Sequence, residues 1–142
     1  MAEALRVLLV EDNEGDVEMT QRALRDSKPA CKISVANDGI EALAFLRKEG
    51  TFTAAEMPQI ILLDLNMPRM DGKRFLETIK TDDRFKAIPV VMLTSSESTQ
   101  DIRACYERYA SGYIVKPFDA KDFSTRLKQV VNFWGEVGRL PN

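Results

Sequence analysis

The chain has 142 residues, 44% hydrophobic and 30% charged, with a formal net charge of −2. That is enough for one domain with a real core, and the charge gives no electrostatic case for nucleic acid or an anionic membrane. Histidine is absent, and the two cysteines, Cys31 and Cys105, form no CxxC pair; histidine triads, most zinc sites and a disulfide framework are thereby excluded.

The first predicted strand is Leu5 to Glu11, whose run Val7-Leu8-Leu9-Val10 delivers Glu11 and Asp12. A helix follows from about Glu14 to Asp26, with Asn13 as its N-cap. Cys31 to Ala36 alternates as a second strand. Asp38 precedes Gly39-Ile40-Glu41, a capping-box pattern that opens a second helix. The polar connection Gly50 to Met57 is long for its place. Ile60-Ile61-Leu62-Leu63 is an unbroken apolar run closed by Asp64, as in a strand buried on both faces. After a loop through Pro68 to Gly72 comes a helix with Phe75, Leu76 and Ile79 on one face. Ile88 to Leu93 is a fourth strand, delivering Thr94. Ser98 and Asp101 mark a capping box for a fourth helix. Tyr113-Ile114-Val115 delivers Lys116, followed by Pro117. Asp119 caps a last helix with Phe123, Leu127, Val130 and Trp134 on one stripe. The expectation is one domain over residues 1–142, core about 5–133, with a tail from 134 to 142 and no output domain. With no signal peptide and no apolar run of membrane length, the expected location is the cytoplasm.

Strict alternation of strand and helix predicts an α/β fold: a doubly wound, five-stranded parallel sheet with five helices. In such sheets chemistry sits at the carboxyl ends of the strands. Glu11, Asp12, Asp64, Thr94 and Lys116 therefore converge on one edge. Three neighbouring carboxylates repel unless a cation compensates. With only oxygen donors, Mg²⁺ is the expected metal. Asp64 can then act as nucleophile and form an acyl phosphate. Lys116 and the Thr94 hydroxyl suit two phosphoryl oxygens. Each residue alone reads as a cap or turn; their joint placement, one strand end after another, does not.

On these residues the chain resembles the receiver domain of two-component response regulators, through Glu11-Asp12, Asp64 with Asn66 and Pro68, Asp71-Gly72, Thr94-Ser95 and Lys116-Pro117. The resemblance implies the flavodoxin-like strand order 2-1-3-4-5, known from a member of that family. It implies phosphorylation of Asp64 by a sensor histidine kinase and Mg²⁺ held by Glu11 or Asp12, Asp64 and the Asn66 carbonyl. It also implies a switch pairing Thr94 with Tyr113, and a cis bond between Lys116 and Pro117. The long Gly50 to Met57 connection and the tail around Phe133-Trp134 resemble stand-alone regulators partnered with phytochrome-type kinases.

Adjacent Phe133 and Trp134 cannot share one helix face, so the tail predicts an exposed aromatic. A homodimer burying Phe133 or Trp134 with Val137 or Leu140, on the switch face, is the corresponding expectation. The expected function is a phosphoacceptor switch or relay rather than an enzyme. Two rivals stand beside it. A Mg²⁺-dependent aspartyl-phosphate phosphatase needs a carboxylate two residues past the nucleophile, where this chain has Asn66. A receiver-like interaction module without phosphoryl chemistry would not need Asp64, Thr94 and Lys116 together.

Overall fold

A computed structural model describes residues 3–141. Five strands, β1 (Leu5–Val10), β2 (Cys31–Ala36), β3 (Ile60–Leu63), β4 (Val90–Thr94) and β5 (Gly112–Val115), form one sheet in the order β2-β1-β3-β4-β5. All four neighbouring pairs are parallel, so every strand presents its carboxyl end to the same edge. The helices between and after them are α1 (Glu14–Ala23), α2 (Gly39–Arg47), α3 (Gly72–Lys80), α4 (Thr99–Glu107) and α5 (Ala120–Asn132).

The apolar runs are unbroken because both faces of the sheet are covered. Successive side chains point to opposite faces. Leu8, Val10, Ile61, Leu63, Val90 and Met92 join one core with Phe75, Leu76, Ile79 and Cys105. Val7, Leu9, Ile60, Leu62, Val91 and Leu93 join a second core with Leu24, Phe123, Leu127 and Val131. Burying each such side chain contributes about 1.5–3 kcal/mol. Both cysteines are free thiols.

The predicted caps form. Asn13, Asp38, Ser98 and Asp119 each accept a backbone N–H in the first turn of the following helix, and Asp71, not expected as a cap, does the same for α3. Two details differ from expectation. Helix α1 ends at Ala23 rather than Asp26, because Leu24 and the residues after it close the chain by turns, with the Ser27 N–H donating to the Leu24 carbonyl. The box at Ser98 is one-sided: its hydroxyl accepts the Asp101 N–H at 3.3 Å, but the Asp101 carboxylate turns to Ser96 and Lys73.

The long connection makes one 3₁₀ turn at Gly50–Phe52. Phe52 meets Phe45 edge-on at 5.5 Å between ring centroids. With Ala55 and Met57 it seals the first core, so this loop is packing as well as linkage. After α5 the chain continues into a π-helical turn, Phe133–Val137. Trp134 and Leu140 pack on the second core. Phe133 and Val137 stay exposed.

Candidate functional site

The ladder hydrogen bonds run one residue past β1, β3 and β5 and fix the backbone of the site. The Glu11 N–H donates to the Ala36 carbonyl at 2.9 Å, the Asp64 N–H to Val10 at 3.0 Å, and the Lys116 N–H to Thr94 at 2.8 Å. Glu11, Asp64 and Thr94 are buried, whereas Asp12 is exposed on the rim. One carboxylate oxygen each from Glu11, Asp12 and Asp64 lie within 4.8 Å of one another. A set of hard carboxylate oxygens, one open to solvent, fits an oxygen-loving divalent cation that keeps part of its water shell. Asn66 is exposed in the loop after β3.

Lys116 crosses this cluster. Its Nζ bonds Glu11, donates to Asp16 Oδ2 at 2.8 Å and lies 4.0 Å from Asp64 Oδ2. Burial pushes the Glu11 carboxyl up to about 7; the Lys116 hydrogen bond opposes this and the Asp64 charge adds to it. Burial pulls the Lys116 ammonium down, but its bonds to Asp16 and Glu11 outweigh that and leave its pKa raised. A cation in this place offsets the acid repulsion that the sequence alone implies.

Asp64 Oδ1 accepts the Leu65 N–H at 2.8 Å. This bond orients the carboxylate and leaves Oδ2 towards Lys116. The Thr94 hydroxyl accepts the Ser96 N–H at 3.3 Å, and the Tyr113 hydroxyl donates to the Ser96 carbonyl at 2.9 Å. Tyr113 is half-buried and packs against the first core.

Of the residues expected from sequence, Glu11, Asp12, Asp64 and Lys116 come together directly. Thr94 joins them through its carbonyl to Lys116 and joins Tyr113 through Ser96. The Lys116–Pro117 bond is trans; among the described residues the cis bond is Lys28–Pro29. This corrects the expectation of a cis bond there. X–Pro amides favour trans unless their surroundings hold them otherwise, and the trans bond still lets the lysine reach Glu11 and Asp16. Sequence reasoning missed Asp16, whose place in the first turn of α1 reads as a complement to the helix dipole. It also gave Ser96 and Gly72 no role. Phe133 is exposed while Trp134 packs against the second core, and their rings meet edge-to-face at 5.1 Å, so the expected exposed aromatic is Phe133.

Residues 7–128 match the model of the response regulator receiver domain. The chain is 37% identical over 135 residues to the response regulator Rcp1 of Synechocystis sp., covering 95% of this chain and 92% of that one. Its fold is similar to the crystal structure of the phosphorylated cyanobacterial phytochrome response regulator RcpA, with TM-score 0.94 and 37% identity over 99% of this chain and 100% of that one. It is likewise similar to the Mn²⁺-bound form of Rcp1, with TM-score 0.91 and 36% identity over 97% of this chain and 99% of that one.

Proposed function

The chain belongs to the response regulator receiver domain family, and from that premise we propose that Asp64 accepts a phosphoryl group from a sensor histidine kinase. The cofactor is Mg²⁺, for which Glu11, Asp12 and Asp64 form the donor set, and the Asn66 carbonyl is the further donor in this reading. The observation that carries the reading is the convergence of a buried, oriented carboxylate, an acidic donor set and a lysine on one sheet edge.

An oxygen of the Asp64 carboxylate attacks the phosphorus of a phosphohistidine. The P–N bond breaks with its electron pair going to the imidazole, which takes up a proton from solvent, and an acyl phosphate remains on Asp64. Lys116 balances charge on a phosphoryl oxygen, and the Thr94 hydroxyl bonds another. When bound, Mg²⁺ would supply positive charge that offsets the repulsion between the Asp64 carboxylate and the incoming phosphoryl group. Turning Thr94 towards the phosphoryl group withdraws the acceptor of the Ser96 N–H. The acid site is thereby coupled to Tyr113 and the surface of α4 and β5. The chain acts as a switch that limits itself: water attacking the phosphorus restores Asp64 and releases phosphate.

Similarity to RcpA and Rcp1 supports a phytochrome-type kinase as the phosphodonor. Phe118, exposed just past Lys116-Pro117, offers that kinase an apolar anchor beside the site. A homodimer through the exposed side chains of Phe133 and Val137 completes the proposal. Among the described residues no helix is long and apolar enough to cross a membrane; the cytoplasm is the proposed location.

The test is phosphotransfer from a labelled histidine kinase. The wild type takes label in Mg²⁺ and none after exhaustive chelation. Asp64→Asn takes none and keeps its fold, since Asn retains an oxygen for the Leu65 N–H. Undiminished labelling of Asp64→Asn overturns the reading.

A further inference from the structure

Ser96 joins the two residues read above as the switch, and a charged pair outside the acid site fixes where Ser96 stands. Its N–H donates to Thr94 Oγ1 at 3.3 Å, and its carbonyl accepts the Tyr113 hydroxyl at 2.9 Å. Its own hydroxyl donates to Asp101 Oδ2 at 2.6 Å. The other Asp101 oxygen pairs with Lys73 Nζ at 2.6 Å. Lys73 follows Gly72, whose N–H donates to the Leu65 carbonyl at 2.8 Å. The base of α3 is thus tied to the end of β3, one residue from Asp64.

We propose that Lys73 and Asp101 are positioning residues: the pair anchors the β4–α4 loop to α3 and so holds the Ser96 carbonyl where an inward Tyr113 hydroxyl reaches it. The proposal rests on the reading of Thr94 and Tyr113 as the switch. It adds residues that touch neither the acid cluster nor a phosphoryl group.

Three features support it. Asp101 sits where a capping box would turn its carboxylate back to Ser98, yet it faces Lys73 and Ser96. The Ser98 N–H donates instead to Ser96 Oγ at 3.3 Å. The bonds from Lys73 and then from Ser96 hold the Asp101 carboxyl below its ordinary range, so it is charged and able to keep both partners. Finally, the Lys73 and Asp101 side chains are 37% and 27% exposed. A pair so open to water adds little to global stability. Its larger effect falls on the local balance between inward and outward Tyr113, where small energies decide populations.

The test uses the full chain labelled with 3-fluorotyrosine and read by ¹⁹F NMR. Tyr106, Tyr109 and Tyr113 are the tyrosines and are assigned by substitution with Phe. Lys73→Met, Asp101→Asn and Ser96→Ala each cut one link of the anchor while retaining the Ser96 N–H and carbonyl groups that Thr94 and Tyr113 bond. In each, the Tyr113 resonance moves towards those of the exposed tyrosines as the inward-to-outward ratio falls roughly two- to fivefold. Lys73→Arg restores most of the shift. The Lys73→Met, Asp101→Asn double variant moves it no further than either single change, as expected for one shared interaction. A Tyr113 resonance unmoved in all three folded variants overturns the proposal. Labelling of Asp64 by acetyl phosphate in the same samples separates this failure from failure of the phosphoryl reading. Labelled Asp64 with unmoved Tyr113 defeats the positioning pair alone. Unlabelled wild type with the expected Tyr113 shifts defeats the phosphoryl reading alone.

Discussion

A Cβ on Gly72 would lie 2.2 Å from the Asp64 carbonyl oxygen, and 2.9 Å from the Leu65 Cα. Helix α3 begins in backbone contact with the residue proposed to carry the phosphoryl group. Both obstructing atoms are main chain, so no flexible side chain can yield. Gly72→Ala must separate α3 from the end of β3. The expected cost is about 1–3 kcal/mol in urea denaturation. Displacing Asp64 from its aligned position also slows labelling by roughly tenfold or more. Wild-type stability and labelling in Gly72→Ala would show that the contact does not position the site.

Lys116 is 9% exposed at its side chain and bonds Glu11, which is 2% exposed. Lys116→Met leaves a buried carboxylate without that partner, an expected loss of about 2–4 kcal/mol at pH 8 in a chelating buffer. The pH dependence has a definite sign. The Glu11 pKa is raised to about 7 from 4.5. Its contribution is therefore full below pH 4.5 and lost as pH rises through 7. Lys116 resists that rise in pKa, so the variant's deficit is larger at pH 8 than at pH 5. Thermal melts at the two pH values measure it, and equal deficits would refute the coupling.

Asp38 caps α2 and ties down the loop after β3. Its Oδ1 accepts the Glu41 N–H at 2.9 Å and its Oδ2 the Arg69 Nε–H at 2.6 Å. Burial pushes its carboxyl up, but the Arg69 and backbone hydrogen bonds prevail and hold it below 3.8. A depressed acid contributes stability above its unfolded pKa and loses it as pH falls through the folded one. Asp38→Ala should cost about 1–2 kcal/mol from pH 5 to 8. The gap to wild type should close below pH 4 in acid titrations of urea unfolding.

The exposed tail side chains carry the proposed dimer. Phe133 is 49% and Val137 69% exposed, beside Tyr106 at 49%. Phe133, Tyr106 and Tyr113 line a groove of about 440 Å³ formed by α4, β5, α5 and the tail. Trp134 is the wrong residue to change, because it packs on the second core. Sedimentation of a Phe133→Ala, Val137→Ala variant should show monomers where the wild type pairs, with little change in melting temperature. A monomeric wild type at tens of micromolar, with and without phosphodonor, removes the interface and leaves the acid site untouched.

The fold and the acid edge were legible in the sequence because both are local patterns. Unbroken four-residue runs such as Ile60–Leu63 demand a strand covered on both faces, and strict alternation with helices demands parallel pairing. Parallel pairing alone then brings Glu11, Asp64, Thr94 and Lys116 to one edge. Caps such as Asn13 and Asp38 were legible for the same reason, each bonding within three residues of itself. What remained hidden depends on how separate elements meet. Lys116 bonds Asp16 across a separation of 100 residues. Lys73 meets Asp101 only because α3 and α4 present those turns to each other. Helical periodicity says which side of a helix is apolar, but not which polar residue on a neighbouring helix it faces. The trans bond at Lys116–Pro117 and the exposure of Phe133 rather than Trp134 belong with these. Both are decided by packing between elements, which no local pattern in the chain encodes.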